Sequence, residues 1–221
     1  MKCLAVNTAT RVMSVALLDE GKTLHYFETA EMRDQGNMLL AHVREGLKTA
    51  GLTFDDLDLL AVVTGPGSFT GIRIGLAAMR ALALAAGKPV IGVSSFDMFA
   101  HTVAGHMNVV AVESWREELY FTAYDDAGHV VMPPMNVTPD EFCKHIPADA
   151  RVIISGDAGD AVAALLPSAQ LSSHVGTAVD AGLRAIETFK RGGGAHDKPV
   201  PFYLRAADVT ISSKPARKLQ D

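Results

Sequence analysis

The sequence predicts an α/β fold of two similar lobes, each opening with an antiparallel hairpin and each built on a mixed β-sheet. Three observations predict it. First, Leu4-Ala5-Val6-Asn7-Thr8 is echoed by Val110-Ala111-Val112-Glu113-Ser114. After each comes a polar turn, a second strand (12–18 against 119–124) and an acidic glycine turn, Asp19-Glu20-Gly21 against Asp125-Asp126-Ala127-Gly128. Second, residues 59–64 form a continuous apolar run, short enough for a strand buried on both faces. Third, strand 59–64, helix 72–86 and strand 90–93 follow one another, and a helical crossover implies parallel pairing. With 221 residues, 48% of them hydrophobic and 20% charged, the chain can bury a sizeable core. The expected lobes are 1–104, carrying partner-facing helices, and 105–221, smaller and ending in a polar tail.

The elements follow in order. Strands are expected at 3–6, 12–18 and 23–29, with Asp19-Glu20-Gly21-Lys22 as a hairpin turn. Leu39, Leu40, Val43 and Leu47 recur with helical spacing, with Asn37 as candidate cap and Gly51 as the stop. The loop Gly65-Pro66-Gly67-Ser68-Phe69-Thr70-Gly71 leads into helix 72–86, which Gly87 and Pro89 end. Ser94 or Ser95 then caps a third helix running through His101 to about residue 104. In the second half Thr138 caps a short helix to His145, 151–155 is a strand, and Gly156-Asp157 leads into a helix ending near Leu166-Pro167. Residues 179–191 form an amphipathic helix stopped by Gly192-Gly193-Gly194. The stretch Ser212-Ser213-Lys214-Pro215-Ala216-Arg217-Lys218 reads as a solvated basic terminus within reach of RNA.

Composition excludes several classes. A net charge of -5 argues against strong non-specific nucleic-acid binding by this chain alone, so RNA contact is expected to be shared with a partner. Cys3 and Cys143 lie far apart with no metal or redox spacing, and read as reduced and structural. The N-terminus lacks the apolar core and cleavage site of a signal peptide, and no stretch approaches the roughly 20 apolar residues that span a bilayer. A cytoplasmic location without membrane association is expected.

In the glycine loop, Gly65 and Gly67 permit positive φ, Pro66 fixes a turn dihedral, and Ser68 or Thr70 can cap the following helix. A loop at a helix N-terminus favours an anion, which makes Thr8, Thr10, Gly65, Gly67, Ser68 and Thr70 candidate phosphate contacts. Yet Gly71 is followed by Ile72-Arg73 where a Walker loop needs Lys and then Ser or Thr, and Thr70 stands where a dinucleotide loop or a hydrolase elbow needs glycine. Spacing alone favours glycines that let a helix pack tightly on a strand. That helix is small along much of its surface (Gly71, Gly75, Ala78, Ala81, Ala85), with Ile72, Leu76, Met79 and Leu82 as its larger apolar residues. Its only charges, Arg73 and Arg80, fall on one face. Such a helix is either a core element or shared between the core and a partner, and both readings stand.

The segment matching Gly65 to Arg73, the opening hairpin with Ser14-Val15-Ala16-Leu17, and Pro201-Phe202-Tyr203-Leu204-Arg205 together resemble the TsaB family, also called YeaZ. The resemblance covers the first lobe well and the second patchily. It implies an actin-like, Hsp70-like (ASKHA) fold and a scaffold subunit without chemistry of its own. Members pair with a TsaD-like catalytic subunit and a TsaE-like ATPase, and form homodimers when the partner is absent. The assembly transfers threonylcarbamoyl from threonylcarbamoyl-AMP to N6 of the adenosine beside the anticodon, in tRNAs reading codons that begin with A. It further implies that tRNA is met through the complex, that ATP or ADP belongs to the complex with no cofactor intrinsic to this chain, and that two helices form the partner surface. On this chain those helices place Leu39, Val43, Leu47, Ile72, Arg73, Gly75, Leu76, Ala78, Met79 and Arg80 at the candidate interface.

The chain departs from the family pattern at three places. Asn7 stands where Asp is usual, Glu113-Ser114-Trp115 where Asp-Ala-Arg is usual, and Ser95 and Phe99 where the catalytic relative carries two metal-binding histidines. No catalytic or metal-binding residue is therefore expected; His101 and His106 straddle Gly105 with poor spacing for one metal. The competing reading is an active nucleotide-dependent phosphotransferase of the actin-like kinase class. It would want a carboxylate at position 7 and a general base, and only Glu113 offers one. A glycoprotease-like hydrolase is disfavoured by the missing histidines.

Overall fold

The computed structural model describes residues 1–31, 34–192 and 197–205. The first sheet takes its strands from β1 (Lys2–Asn7), β2 (Met13–Asp19), β3 (Lys22–Thr29), β4 (Leu59–Val63) and β5 (Val90–Val93), in the order β3-β2-β1-β4-β5. The hairpin β1-β2-β3 is antiparallel, while β1-β4 and β4-β5 are parallel. The second sheet takes β6 (Met107–Val112), β7 (Leu119–Tyr124), β8 (Val130–Val137), β9 (Val152–Ser155) and β10 (Gln170–Leu171). Its order, β8-β7-β6-β9-β10, repeats the first, with the same antiparallel meander and the same parallel pairings. The expected duplication is therefore present strand for strand.

The helices are α1 (Gln35–Ala50), α2 (Phe69–Ala86), α3 (Ser95–Phe99), α4 (Pro139–Cys143), α5 (Gly159–Ala163) and α6 (Ala178–Arg191). Helices α1 and α2 pack side by side on one face of the first sheet, and α6 with α3 covers the other. Because strand side chains alternate between faces, Leu17 points towards α1 while Ala5 and Leu18 meet α6, where Gly182 lets the helix approach closely. A capping box opens α6: Thr177 Oγ1 accepts the Val179 N-H at 3.2 Å, and Asp180 Oδ2 accepts the Thr177 N-H at 2.8 Å. Helix α6 thus belongs spatially to the first lobe, which is not confined to residues 1–104. Val110, Val112, Tyr120 and Tyr124 of the second sheet join the same core, so the lobes share apolar packing. The other face of the second sheet forms a separate core under α4 and α5, where Phe121 stacks on Phe142 at 4.2 Å.

Several expectations are corrected. Asp34, not Asn37, occupies the N-cap position of α1, at φ 56° and without a side-chain cap bond, and Asn37 instead donates to Asp34 Oδ1 at 2.8 Å. Gly51 does end that helix, in the left-handed region. Helix α3 is capped by Ser94 but ends at Phe99, well short of residue 104. The helices after Thr138 and Asp157 close at Cys143 and Ala163. Strands β8 and β10 were not anticipated. Gly193, Gly194 and the basic terminus 212–218 lie outside the described residues.

Candidate functional site

The glycine loop packs against the turn of the first hairpin, and the two segments satisfy each other. The Ser68 N-H donates to Ala9 O at 2.7 Å, and Thr8 Oγ1 donates to Gly71 O at 2.7 Å. A Cβ at Gly67 would fall inside 3.0 Å of the Ala9 carbonyl oxygen, and one at Gly71 inside 3.0 Å of the Thr8 carbonyl oxygen. These glycines exist because two backbones touch. Ser68 caps α2, its Oγ accepting the Gly71 N-H at 3.2 Å, as one of the two candidates was expected to do.

The candidate phosphate contacts are corrected accordingly. Thr8 and Thr10 are fully buried, with both hydroxyls engaged: Thr10 Oγ1 receives the Asn7 amide at 2.7 Å and donates to Val12 O at 3.3 Å. The Asn7 amide also donates to Val12 O at 3.1 Å, while Asn7 Oδ1 accepts the Ala9 N-H at 3.0 Å. An aspartate could not donate twice there, which gives Asn7 a structural reason. Gly65 approaches Ile72 and the Phe202 carbonyl, and its own carbonyl accepts the Ser95 N-H at 2.7 Å. Of the six candidates, Gly67, Ser68 and Thr70 still line an open cavity.

Across the cleft a charged cluster joins the lobes. Arg11, in the hairpin turn, pairs its guanidinium with Glu113, and its N-H donates to Asp157 Oδ2 at 2.9 Å. Asp157 Oδ1 accepts the Glu113 N-H at 2.9 Å. Burial pushes the Asp157 carboxyl above its ordinary range, against the lowering effect of those two N-H donors and of the Arg11 charge. Glu113 Oε1 accepts the N-H groups of Ser114 at 2.9 Å and Trp115 at 2.7 Å, so the carboxylate that the sequence offered to a kinase-like reading is engaged in its own turn. On the other flank Tyr124 donates its hydroxyl to Asp97 Oδ1 at 3.1 Å, and burial raises its phenol. Sequence reasoning missed this cluster; Arg11, the one charge in the turn after Asn7-Thr8-Ala9-Thr10, was its signal.

The positions of the relative's metal-binding histidines are filled by fully buried Ser95 and by Phe99, a core side chain. His101 stacks on His174 at 5.1 Å, whereas His106 Nδ1 lies 3.1 Å from Ala104 O. No group of three or more His, Cys, Asp or Glu among the described residues is placed to hold a metal ion. Burial pushes the Cys3 thiol up to about 12, which keeps it protonated.

The candidate interface is corrected most. Leu39, Val43, Leu47, Ile72, Gly75, Leu76 and Met79 all turn into the chain's own core, and Ala78 is half-buried against it. Of the ten candidates only Arg73 and Arg80 are exposed. The outward stripe of α2 is instead Ala77, Arg80, Ala81 and Leu84, the last 85% exposed, beside Leu40 and Ala41 of α1. Arg73 lies 3.6 Å over the Phe69 ring and donates to the Tyr203 hydroxyl at 3.1 Å. The glycine-loop motif and the C-terminal Tyr-Leu-Arg motif therefore meet in space.

Comparison with known proteins places this architecture. The family model described as "TsaD: tRNA N6-adenosine threonylcarbamoyltransferase" matches residues 32–191, well over half of the 221. A protein of Escherichia coli (strain K12) described as "tRNA threonylcarbamoyladenosine biosynthesis protein TsaB" is 38% identical over 128 residues, 56% of this chain. The solved structure of YeaZ from Pseudomonas aeruginosa superposes with a TM-score of 0.75 at 25% identity, over 92% of this chain and 99% of that one. The chain belongs to the TsaB (YeaZ) family. An uncharacterized protein of Mycobacterium tuberculosis (strain ATCC 25618 / H37Rv) is 31% identical over 93% of this chain and 92% of its own length. The match to the E. coli relative spans only about half of that protein, 55% of its length. The actin-like fold expected of the family is the one observed.

Proposed function

We propose that this chain is a non-catalytic subunit of the assembly that installs threonylcarbamoyl on N6 of the adenosine beside the anticodon in tRNAs reading codons that begin with A. The observation that carries the reading is the outer face of α2. A helix whose inner side already fills the core exposes Ala77, Ala81 and an 85% exposed Leu84 to solvent. Such small apolar residues permit close helix-helix approach, and exposed Arg80 adds a positive charge to the same face. The occupant is a TsaD-type catalytic subunit, the protein whose family model this chain itself matches over residues 32–191, and its contacting face is expected to be apolar. A TsaE-type ATPase, any ATP or ADP, and the cytoplasmic setting belong to that assembly.

Support for the absence of chemistry comes from the hairpin turn, whose hydroxyls and amides are internally bonded, and from Glu113, tied to Arg11 and two backbone amides. The phosphotransferase reading would need these groups free. The test is reconstitution: the chain and a TsaD-type subunit should co-elute as a heteromer, and tRNA threonylcarbamoylation should drop when this chain is omitted. Ala81→Glu, at an exposed site, should abolish co-elution and leave the melting temperature unchanged. Equal modification without this chain would sink the proposal. Self-association that the TsaD-type subunit fails to displace would place the homodimer on this face instead.

A further inference from the structure

A groove of about 510 Å³ runs past the C-terminal end of α2. One wall is the last turns of α2 with Pro89 and Val90 after them, and the other is the chain at Lys198 and Pro199. Both walls are fixed. Gly87 closes α2 in the left-handed region, its N-H bonded to Ala83 O and Leu84 O. Pro199 is buried against the edge strand β5, where a Cβ at Gly92 would lie 3.0 Å from Pro199 Cβ. Further along, the Phe202 N-H donates to Thr64 O at 2.8 Å. A segment pinned at Pro199 and Phe202 leaves Lys198 and Val200, on either side of the proline, exposed.

Two observations mark the groove as a contact. The first is apolar exposure. Leu84 at 85% and Val200 at 67% are the most exposed large apolar side chains among the described residues; Leu84 lines the groove and Val200 adjoins its Pro199. Apolar surface presented on fixed walls loses little conformational freedom when a partner covers it. The second is charge. Arg80, Lys88 and Lys198 line the groove, and no carboxylate appears among its described lining residues. Lys88 is engaged, its Nζ donating to Asp55 O at 2.7 Å. Arg80 and Lys198 have no hydrogen-bond or ion-pair partner among the described residues, and Asp197, next to Lys198 in the chain, is not part of the lining. Arg80 precedes Leu84 by one helical turn, so a free cation and the apolar side chain share a face. An apolar floor between two free cations is complementary to a segment that carries a large apolar side chain beside a carboxylate.

We propose that the partner surface continues beyond α2 into this groove, and that the TsaD-type subunit fills it with a large apolar side chain flanked by a carboxylate that meets Arg80 and Lys198. For the identity of the occupant the inference rests on the subunit role proposed above; for its chemistry it rests on the groove alone. Leu84 is then the anchor of the contact, and residues 198–200, which belong to neither α1 nor α2, supply its second wall. The groove and the outer stripe of α2 share Arg80, Ala81 and Leu84, so one partner covers both without a break. The two cations are exposed, so their share of the affinity weakens with added salt while the apolar share stays.

Titration calorimetry of the intact chain with the TsaD-type subunit, at low and at high salt, tests the groove. Leu84→Ala should bind roughly tenfold more weakly. Lys198→Glu should weaken binding by about tenfold at low salt and by less at high salt, with Lys198→Met in between. Val200→Asp, which sets a like charge beside the incoming carboxylate, should also lose about tenfold. Lys22→Glu, exposed on β3 at the far edge of the same sheet, is the control and should stay within about twofold of wild type. All four positions are exposed, so the melting temperatures should not move. If Lys198→Glu and Val200→Asp bind as wild type does while Ala81→Glu does not bind, the groove is empty and this inference fails with the subunit role intact. Tighter binding by Lys198→Glu makes the occupant basic and overturns the proposed chemistry. Variants that weaken self-association alone put a second copy in the groove and overturn it as well. A wild type that does not bind, or an Ala81→Glu that does, overturns both readings.

Discussion

Gly71→Ala tests whether the glycine loop is a packing device. The new methyl would fall inside 3.0 Å of the Thr8 carbonyl oxygen, a backbone atom anchored in the hairpin by the buried Asn7 and Thr10 bonds. To restore ordinary contact the start of α2 must retreat by roughly 1.5 Å. That movement stretches the Thr8 Oγ1 bond to Gly71 O and the Ser68 N-H bond to Ala9 O, both 2.7 Å long. Overpacking costs about 1–3 kcal/mol and two weakened hydrogen bonds about 1–2 more, while the helical preference of Ala over Gly returns at most about 1. The net expectation is about 1–4 kcal/mol of lost stability, or a melting temperature lower by about 2–16 °C for a chain of this size. Urea and thermal unfolding followed by circular dichroism measure both. Gly36→Ala in α1, where an added Cβ meets nothing within 4 Å, is the matched control and should be neutral or stabilising by up to about 1 kcal/mol. If Gly71→Ala unfolds within about 0.5 kcal/mol of wild type, the loop yields freely and the packing account is wrong.

Asn7→Asp, which restores the residue usual in the family, should destabilise by about 1–3 kcal/mol at neutral pH, because a carboxylate oxygen would face Thr10 Oγ1 and Val12 O where two donors now stand; chemical denaturation reads it, and an unchanged midpoint would contradict the bonding pattern. Asp157 holds its proton more tightly when folded, so its contribution to stability is fully present below the unfolded aspartate pKa of about 3.9 and is lost as pH rises through the higher folded value. The melting advantage of wild type over Asp157→Ala should therefore shrink with rising pH and then level off, and an advantage that grows would show the opposite sign. Thr177→Ala removes one half of the capping box on α6 and should cost about 1 kcal/mol in the same melts.

What was legible in the sequence was local and periodic. The hairpins, the buried β4 run and the Ser68 cap follow from alternation and turn residues, and all appear where expected. The edge strand β8 was not legible because half of it is solvated and it contains Pro133 and Pro134, residues that an edge tolerates and a pattern search discards. Nor can chain order tell that α6 returns to the first sheet. Composition of α2 showed small and large apolar residues without saying which faced inward; Ile72, Leu76 and Met79 went to the core, and Ala77, Ala81, Leu84 and Ala85 went outside. The glycine motif identified the family, but whether its amides were free for a ligand depended on Ala9 and Thr8, more than fifty residues earlier.

In an actin-like cleft, nucleotide chemistry depends on unpaired donors in the two hairpin turns, because developing phosphate charge must find hydrogen bonds that nothing else occupies. In this chain both turns are closed from within. Asn7 uses its amide to fold the first turn, Glu113 uses its carboxylate to fold the second, and Arg11 ties the two together over Asp157. Each group is polar and sits where a reactive group would, yet each is consumed by a neighbour within its own lobe or across the cleft. Asn7→Asp alone is therefore expected to leave these groups engaged, since Thr8, Thr10 and the Ser68 amide would remain bonded. Reactivity would require the glycine loop to separate from the hairpin, and the close backbone contacts at Gly67 and Gly71 oppose that movement. What the closed turns leave available is surface: the face of α2 formed by Ala77, Ala81 and Leu84.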